Sequence, residues 1–171
     1  MAQQAPSPSD AARRIAAGEQ PAAVFGLSQS QLQAFAALGY NQYQQGNVDS
    51  AETLFRGVTA LDNKSYFGYA GLGAIALAKK PPDLDTAYTN LSKAVELNPN
   101  DATVRANLGE VLLRQGKIEE AKKHLEKAFQ LDPGHNDSGA NRARAIVGGL
   151  NLVINEVEQR IQSQTRQAKA S

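Results

Sequence analysis

The chain of 171 residues contains no cysteine, no tryptophan and a single methionine. Without cysteine there is no disulfide, no thiolate ligand for a metal and no cysteine nucleophile. An excess of charge of one sign is missing too, because 18 lysines and arginines stand against 17 aspartates and glutamates, for a formal net charge of +1. No segment has the basic excess that would hold a phosphate backbone, so we do not expect nucleic acid as a partner.

Long apolar runs are also absent. None of the apolar stretches approaches the roughly 20 residues that a membrane-spanning helix needs. The first ten residues, MAQQAPSPSD, hold no apolar stretch of the kind found in a secretory signal. We therefore expect a cytoplasmic protein without a membrane span, and this length leaves room for one compact domain or a short repeat array.

Catalytic motifs are scarce. The two histidines are His124, which the helical pattern places on an outer face, and His135, which follows Pro133-Gly134 in a turn. Neither has partners at metal-ligand spacing, and no glycine loop of the phosphate-binding type occurs. We expect a protein that is not an enzyme and that needs neither a metal nor a cofactor, with both histidines on its surface.

The sequence does contain an internal repeat. Three blocks align at residues 32–65, 66–101 and 102–135, with lengths of 34, 36 and 34 residues. Each block has a glycine in its first half, an alanine early in its second half and a large apolar residue four positions after that alanine. In chain order these are Gly39, Ala51 and Phe55, then Gly73, Ala87 and Leu91, then Gly109, Ala121 and Leu125.

The apolar positions within the blocks recur at the spacing of a helix, which predicts two helices per block. We expect the aligned glycines to lie where the two helices cross, because a side chain there would push them apart. Gly46 and Gly116 are expected to adopt positive φ and to end the first helix of their blocks. Pro99 and Pro133 are expected to follow the end of the second helix.

The second block departs from this pattern at its turn. Where a glycine is expected it reads Lys79-Lys80-Pro81-Pro82-Asp83, which is two residues longer. We expect Asp83 to cap a helix over residues 84–97. The first block lacks the closing proline and has Asp62-Asn63-Lys64 in its place.

The period and the repeated residues resemble the tetratricopeptide repeat, a helix-turn-helix unit, over 104 of the 171 residues. The resemblance implies an all-α fold, namely a right-handed superhelix of three helix pairs with an N-terminal helical arm and a C-terminal capping helix. The first helices of successive pairs would line its concave side.

The segments on either side of the repeats complete the expected organisation. Residues 1–31 are predicted to form a partly flexible N-terminal arm. Because the last repeat of such an array needs a cap, we expect a capping helix over 136–162, with Asn136, Asp137 or Ser138 at its start. Residues 163–171 are predicted to be a flexible tail. The apolar face of the capping helix would consist of Ile146, Leu150, Val153, Ile154, Val157 and Ile161.

Aromatic residues concentrate in the first part of the repeats, since seven of ten fall between residues 35 and 69. Tyr40, Tyr43 and Phe67 are predicted to point into the concavity, where aromatic walls beside small residues form pockets for an extended peptide. The alternative is that these rings serve ordinary packing between helices. The lysines and arginines that clamp acidic chaperone tails in other repeat proteins are absent from this groove, so we do not expect a carboxylate clamp.

The stretches 38–46 and 65–74, together with Ala51, Phe55 and Leu61-Asp62, resemble the class II chaperones of bacterial type III secretion. In that family the concave side binds an extended segment of a hydrophobic translocator, and the N-terminal arm often mediates homodimerisation. The resemblance implies a peptide-binding site, to which the predicted lining of the groove adds three residues. The resulting set is Ala36, Tyr40, Tyr43, Gly57, Leu61, Phe67 and Ala70, with Ala74, Leu77 and Glu110 added.

A second function stays open at this point. A tetratricopeptide adaptor could instead join folded proteins in a larger assembly such as a secretion or pilus apparatus. Its contacts would then lie on the convex side and on the tail helix rather than in the groove.

Overall fold

The computed structural model describes residues 6–170, with side chains through residue 167, and these residues form α-helices and no β-strand. The predicted all-α class is confirmed. The chain divides after Asn100 into two compact units. The first unit contains α1 (Pro8–Ala16), α2 (Pro21–Val24), α3 (Gln29–Gln44), α4 (Val48–Leu61), α5 (Tyr66–Ala78) and α6 (Leu84–Leu97), and the second contains α7 (Ala102–Arg114), α8 (Ile118–Gln130) and α9 (Ser138–Ala170).

The helices form three pairs, α3 with α4, α5 with α6 and α7 with α8, and a glycine marks each crossing. A β-carbon built on Gly73 would lie 2.5 Å from Cγ of Leu91, which is too close for two carbon atoms. The corresponding contacts in the other pairs have the same register, which confirms the predicted role of the glycines. The three contacts are Gly39 with Phe55, Gly73 with Leu91 and Gly109 with Leu125.

The predicted turn residues also have their expected conformations. Gly46 and Gly116 follow α3 and α7 with φ of 83° and 76°, values that residues with a side chain rarely adopt. In the longer turn of the second block, the Asp83 carboxylate accepts a hydrogen bond of 3.1 Å from the Thr86 amide at the start of α6. Hydrogen bonding from Thr86 holds the pKa of the Asp83 carboxyl below its usual range.

The turn between α4 and α5 is built around a buried carboxylate. Asp62 is 5% exposed, and it accepts hydrogen bonds from Nε2 of Gln29 at 3.1 Å and from the backbone amide of Lys64 at 2.9 Å. Because a buried carboxylate needs such partners, Asp62 fixes a turn in which the first block lacks its closing proline. This role was not predicted from the sequence.

The described part of the N-terminal arm folds onto its own unit. Ser7 caps α1 by accepting a hydrogen bond from the Asp10 amide, and Gly18 with φ of 93° follows the helix. Helix α2 contacts α4, and the Asn63 amide donates a hydrogen bond of 3.2 Å to Oε1 of Gln20. Residues 1–5 of the predicted arm lie outside the described residues.

In the second unit, α9 packs on both α7 and α8. Asp137 is its cap and accepts a hydrogen bond of 2.7 Å from the Ala140 amide, as one of the three predicted candidates. The side chains of Ala140, Ala143 and Val147 are buried in this contact. The helix continues to residue 170, beyond residue 162 where the sequence predicted its end, and Ser171 lies outside the described residues. None of the helices between residues 6 and 170 has both the length and the apolar character needed to cross a bilayer.

Candidate peptide-binding face

One face of the first unit carries three aromatic rings beside small residues. Helix α3 provides Tyr40 and Tyr43, and α5, which contacts α3, provides Phe67. Positions three, seven and ten residues after Phe67 lie on the same side of α5, because these intervals come within about a quarter turn of whole turns of a helix. We call the resulting set the aromatic face, and it consists of Tyr40, Tyr43, Phe67, Ala70, Ala74 and Leu77.

The aromatic face rests on a packed core. Tyr43 and Phe67 are half-buried and pack against a cluster of buried residues to which Ala36, Phe55 and three aliphatic residues belong. A β-carbon at Gly71 would lie 2.5 Å from the Phe55 ring, so this glycine lets α4 approach α5 closely. Ala36, predicted to bind peptide, is buried and forms part of the floor. The two half-buried rings are therefore held in place before any ligand arrives.

Tyr40 is the most exposed of the three rings, with 58% of its surface accessible. It lies on the side of α3 opposite Leu38, because residues two apart on a helix differ by about 200° in direction. A rigid helix thus holds a large, partly apolar ring out into solvent, while Tyr43 and Phe67 are each partly covered. None of the three rings is sealed inside the protein.

Gly57 and Leu61 belong to a different surface. Thr59 of α4 faces α5, since its Cγ2 would lie 2.6 Å from a β-carbon built on Gly68. Gly57 and Leu61 each lie two residues from Thr59 and so point to the other side of α4. That side borders a groove between α3 and α4 that is separate from the aromatic face. The groove is lined by Leu38, Gln42, Asp49, Ser50, Thr53 and Leu54.

Glu110, the predicted binding residue of the third block, lies in the second unit and is engaged by α9. Arg142 forms an ion pair with Glu110 and donates a hydrogen bond of 2.6 Å to Oδ1 of Asn107. Thr103 on the same helix donates to the carboxylate of Asp137 at 3.0 Å. Reasoning from the repeats missed these contacts, because the partners come from a helix more than 30 residues further along the chain.

The sequence predicted that His124 lies on the surface, and the structure corrects this in part. Its side chain is half-buried in the second unit, and among the described residues its Nδ1 has no hydrogen-bond partner. Burial lowers the pKa of the imidazole, and the nearby positive charge of Arg105 lowers it further, against an opposing effect of Glu120. His135 is exposed in the turn after α8. Between residues 6 and 170, no three histidine, aspartate or glutamate side chains converge as a metal site would require.

Comparison with known proteins adds to this geometry. The tetratricopeptide-repeat family model matches residues 76–146. The structure of PcrH from Pseudomonas aeruginosa, solved in complex with the chaperone binding region of PopB, superposes with a TM-score of 0.58. The two chains are 28% identical, and the match covers 70% of this chain and 97% of PcrH. This chain therefore contains a segment of tetratricopeptide-repeat type and resembles translocator chaperones.

Two further comparisons give the same fold and a similar sequence. SycD, a type III secretion translocator chaperone of Yersinia enterocolitica, shares the fold with a TM-score of 0.62 at 24% identity, over 77% of this chain and 98% of SycD. The low calcium response locus protein H of Yersinia pestis is 29% identical over 105 residues, which is 61% of each chain. The chain spans between 9% and 61% of the length of the curated relatives that it matches.

Proposed function

We propose that this protein is a cytoplasmic, non-enzymatic chaperone that binds an extended apolar segment of a translocator-type client at its aromatic face. The observation that carries the proposal is the exposed ring of Tyr40 beside the half-buried rings of Tyr43 and Phe67. Single exposed apolar residues are ordinary on protein surfaces, but a group of rings next to small residues is typical of sites that bind peptides.

The chemistry of such a site is desolvation. Ala70 and Ala74 leave space along α5 between the larger side chains of Phe67 and Leu77, and an apolar client side chain would fill that space. Aromatic residues contribute large contact areas and lose little conformational entropy when they are already packed on one side. Binding would therefore need no covalent step and no cofactor.

Relatives support the choice of client. PcrH has been crystallised with the chaperone binding regions of PopB and of PopD, at 28% and 26% identity to this chain. Both matches cover more than nine-tenths of the PcrH chain. We carry from them the class of client, a translocator segment, and the mode, which is binding to one region of that client. The arm, where the family resemblance places a homodimer contact, has Ile15 of α1 exposed.

The experiment is an affinity measurement on a client encoded beside this protein in the genome. Peptides tiled along that translocator are titrated against the wild type and the Tyr40→Ala variant, and the client's solubility is followed on co-expression. Loss of a central aromatic anchor costs about 2 kcal/mol or more, so we expect binding to weaken about 30-fold and the client to precipitate. Tyr88→Ala on α6 is the matched control and should bind as the wild type does.

Two results would contradict the proposal. One is unchanged peptide affinity and client solubility in the Tyr40→Ala variant when the circular dichroism shows an intact fold. The other is loss of client binding only when exposed residues of α9 are changed, which would favour the adaptor function instead.

A further inference from the structure

The second half of α9 exposes apolar side chains that nothing in the described chain covers. All residues from 151 to 167 are exposed. Among them Ile154 is 41%, Val157 49% and Ile161 57% accessible, and Leu152 reaches 72%. Isolated exposed apolar residues are common, but several on one helix indicate a surface that is covered in the working state of the protein.

Most of these residues belong to one continuous stripe. The stripe begins on the buried side of α9, where the helix packs on α7 and α8, and it continues past the end of that contact. Successive residues of the stripe are separated alternately by three and four positions, which is the heptad spacing of a coiled coil. The positions are Ala140, Ala143, Val147, Leu150, Ile154, Val157 and Ile161, and we call the part from Leu150 to Ile161 the heptad stripe.

We propose that the heptad stripe pairs with the heptad stripe of a second copy of this chain, forming a two-helix coiled coil. In heptad notation Val147, Ile154 and Ile161 occupy position a, and Leu150 and Val157 occupy position d. Within the heptad stripe Ile154 and Ile161 fill a and Leu150 and Val157 fill d, so every core position is apolar, as a coiled coil requires. Two identical stripes match each other in length and residue size, as a two-fold interface requires.

The charges around the heptad stripe fit a second copy better than a charged surface. Residues 150–167 carry Glu156, Glu158, Arg160 and Arg166, so the segment has no net charge and two copies do not repel each other. A helix that lies on an anionic membrane needs a basic polar face, which this segment lacks. The occupant that fits is therefore an uncharged, apolar helical stripe.

The body of the second unit lowers the cost of this pairing. An isolated segment of this length would first have to form a helix, and forming the first turn is unfavourable. Here Asp137 caps α9, and Ala140, Ala143 and Val147 hold its first turns in place, so the helix is nucleated within the monomer. Pairing then buries apolar side chains without the cost of first forming the helix.

The test is sedimentation equilibrium of the full chain over a dilution series, comparing Ile154→Glu with Leu152→Glu. Leu152 is the more exposed residue but lies outside the heptad stripe, so it controls for the loss of an exposed apolar side chain. We expect the wild type and Leu152→Glu to form dimers with the same dissociation constant. Ile154→Glu should raise that constant about 30-fold or more, equivalent to about 2 kcal/mol.

A trapping experiment detects weak pairing and separates it from other interfaces. Since the chain has no native cysteine, Val157→Cys and Leu152→Cys each introduce a single thiol for a short bismaleimide cross-linker. We expect covalent dimers from Val157→Cys and none from Leu152→Cys, and Tyr40→Ala should leave cross-linking unchanged because it acts on client binding alone.

Three outcomes would overturn the proposal. A wild type that stays monomeric and a Val157→Cys variant that does not cross-link exclude the pairing. A dimer that survives Ile154→Glu but is lost in Ile15→Glu assigns the contact to the N-terminal arm. A monomeric wild type whose client binding is lost in Ile154→Glu assigns the heptad stripe to the client.

Discussion

Helices α5 and α7 occupy equivalent places in their repeats but present their inner faces differently. In the first unit, Phe67, Ala70 and Ala74 remain partly accessible on α5. The equivalent positions of α7 in the second unit are Thr103, Ala106 and Glu110. Helix α9 engages all three: Thr103 bonds to Asp137, Ala106 is buried in a cluster with Ala143, and Glu110 pairs with Arg142.

The difference shows that a repeat position is available for binding only when no later helix covers it. The repeat pattern places a residue on the inner side of its helix in both units. In the second unit α9 supplies polar and apolar partners for that side, whereas the aromatic face of the first unit keeps an exposed tyrosine. Four predictions test this difference between the two units.

The largest loss of stability is expected at the helix crossings, where the two units are alike. Gly73→Val and Gly109→Val each place a β-carbon within 2.6 Å of a leucine Cγ, so either the leucine or the backbone must move. Overpacking of this kind costs about 2–3 kcal/mol. Urea unfolding followed by circular dichroism measures the loss, and hydrogen exchange should assign it to the first unit for Gly73→Val and to the second for Gly109→Val.

Gly57→Val is the matched control for both variants, because a β-carbon at Gly57 meets nothing within 4 Å. It should change the free energy of unfolding little. If Gly73→Val or Gly109→Val behaved like Gly57→Val, the crossings would not have the close contact described here.

A smaller loss of stability is expected at the contact of α9 with α7, where the units differ. Asp137→Ala removes the cap of α9 and the partner of Thr103, and we expect a loss of about 1–2 kcal/mol in the second unit. Hydrogen exchange in the first turn of α9 measures this loss of stability. The control is Ser138→Ala, which changes the exposed residue next to Asp137. Equal protection in the two variants would show that the cap does not hold α9 on α7.

Acid should weaken the second unit through Asp132. Its carboxylate accepts hydrogen bonds from the amides of Asp137 at 2.9 Å and Asn136 at 3.1 Å and lies 3.6 Å from Arg144. These contacts, the Asp137 amide first, lower its pKa in the folded state. The stabilisation is therefore complete above the unfolded pKa of about 4 and is lost as the pH falls through that value towards the lower folded pKa.

The measurement is the free energy of unfolding from neutral pH to about pH 3 for the wild type and Asp132→Asn. We expect the variant to show a shallower loss of stability in this range. Parallel curves for the two proteins would mean that Asp132 does not contribute to the acid sensitivity.

The smallest expected change is a gain in stability when Gly57 is replaced. This glycine lies within α4 on its exposed side. Gly57→Ala should stabilise the first unit by up to about 1 kcal/mol, because alanine loses less backbone entropy than glycine in a helix. Thermal unfolding should show a small rise in Tm. A loss of client binding in this variant would bring Gly57 into the binding site, as the family resemblance implies.

Much of the fold was predictable because its signals are local. The glycine, alanine and large apolar residue of each pair lie within one helix-turn-helix, and Asp83 lies three residues from the amide that it caps. The candidate site was predictable in part. Helical spacing places Phe67 and Ala70 on one side of α5, but it carries no information on what covers that side.

The amino-acid order therefore specifies the three helix pairs, the register of their crossings and the ends of most helices. These features depend on backbone stereochemistry and on contacts between near neighbours in the chain. The packing of the folded chain leaves Tyr40 exposed, half-buries His124 and brings Arg142 to Glu110. The accessibility of a side chain depends on residues distant in sequence, and their approach is fixed by packing and not by local pattern.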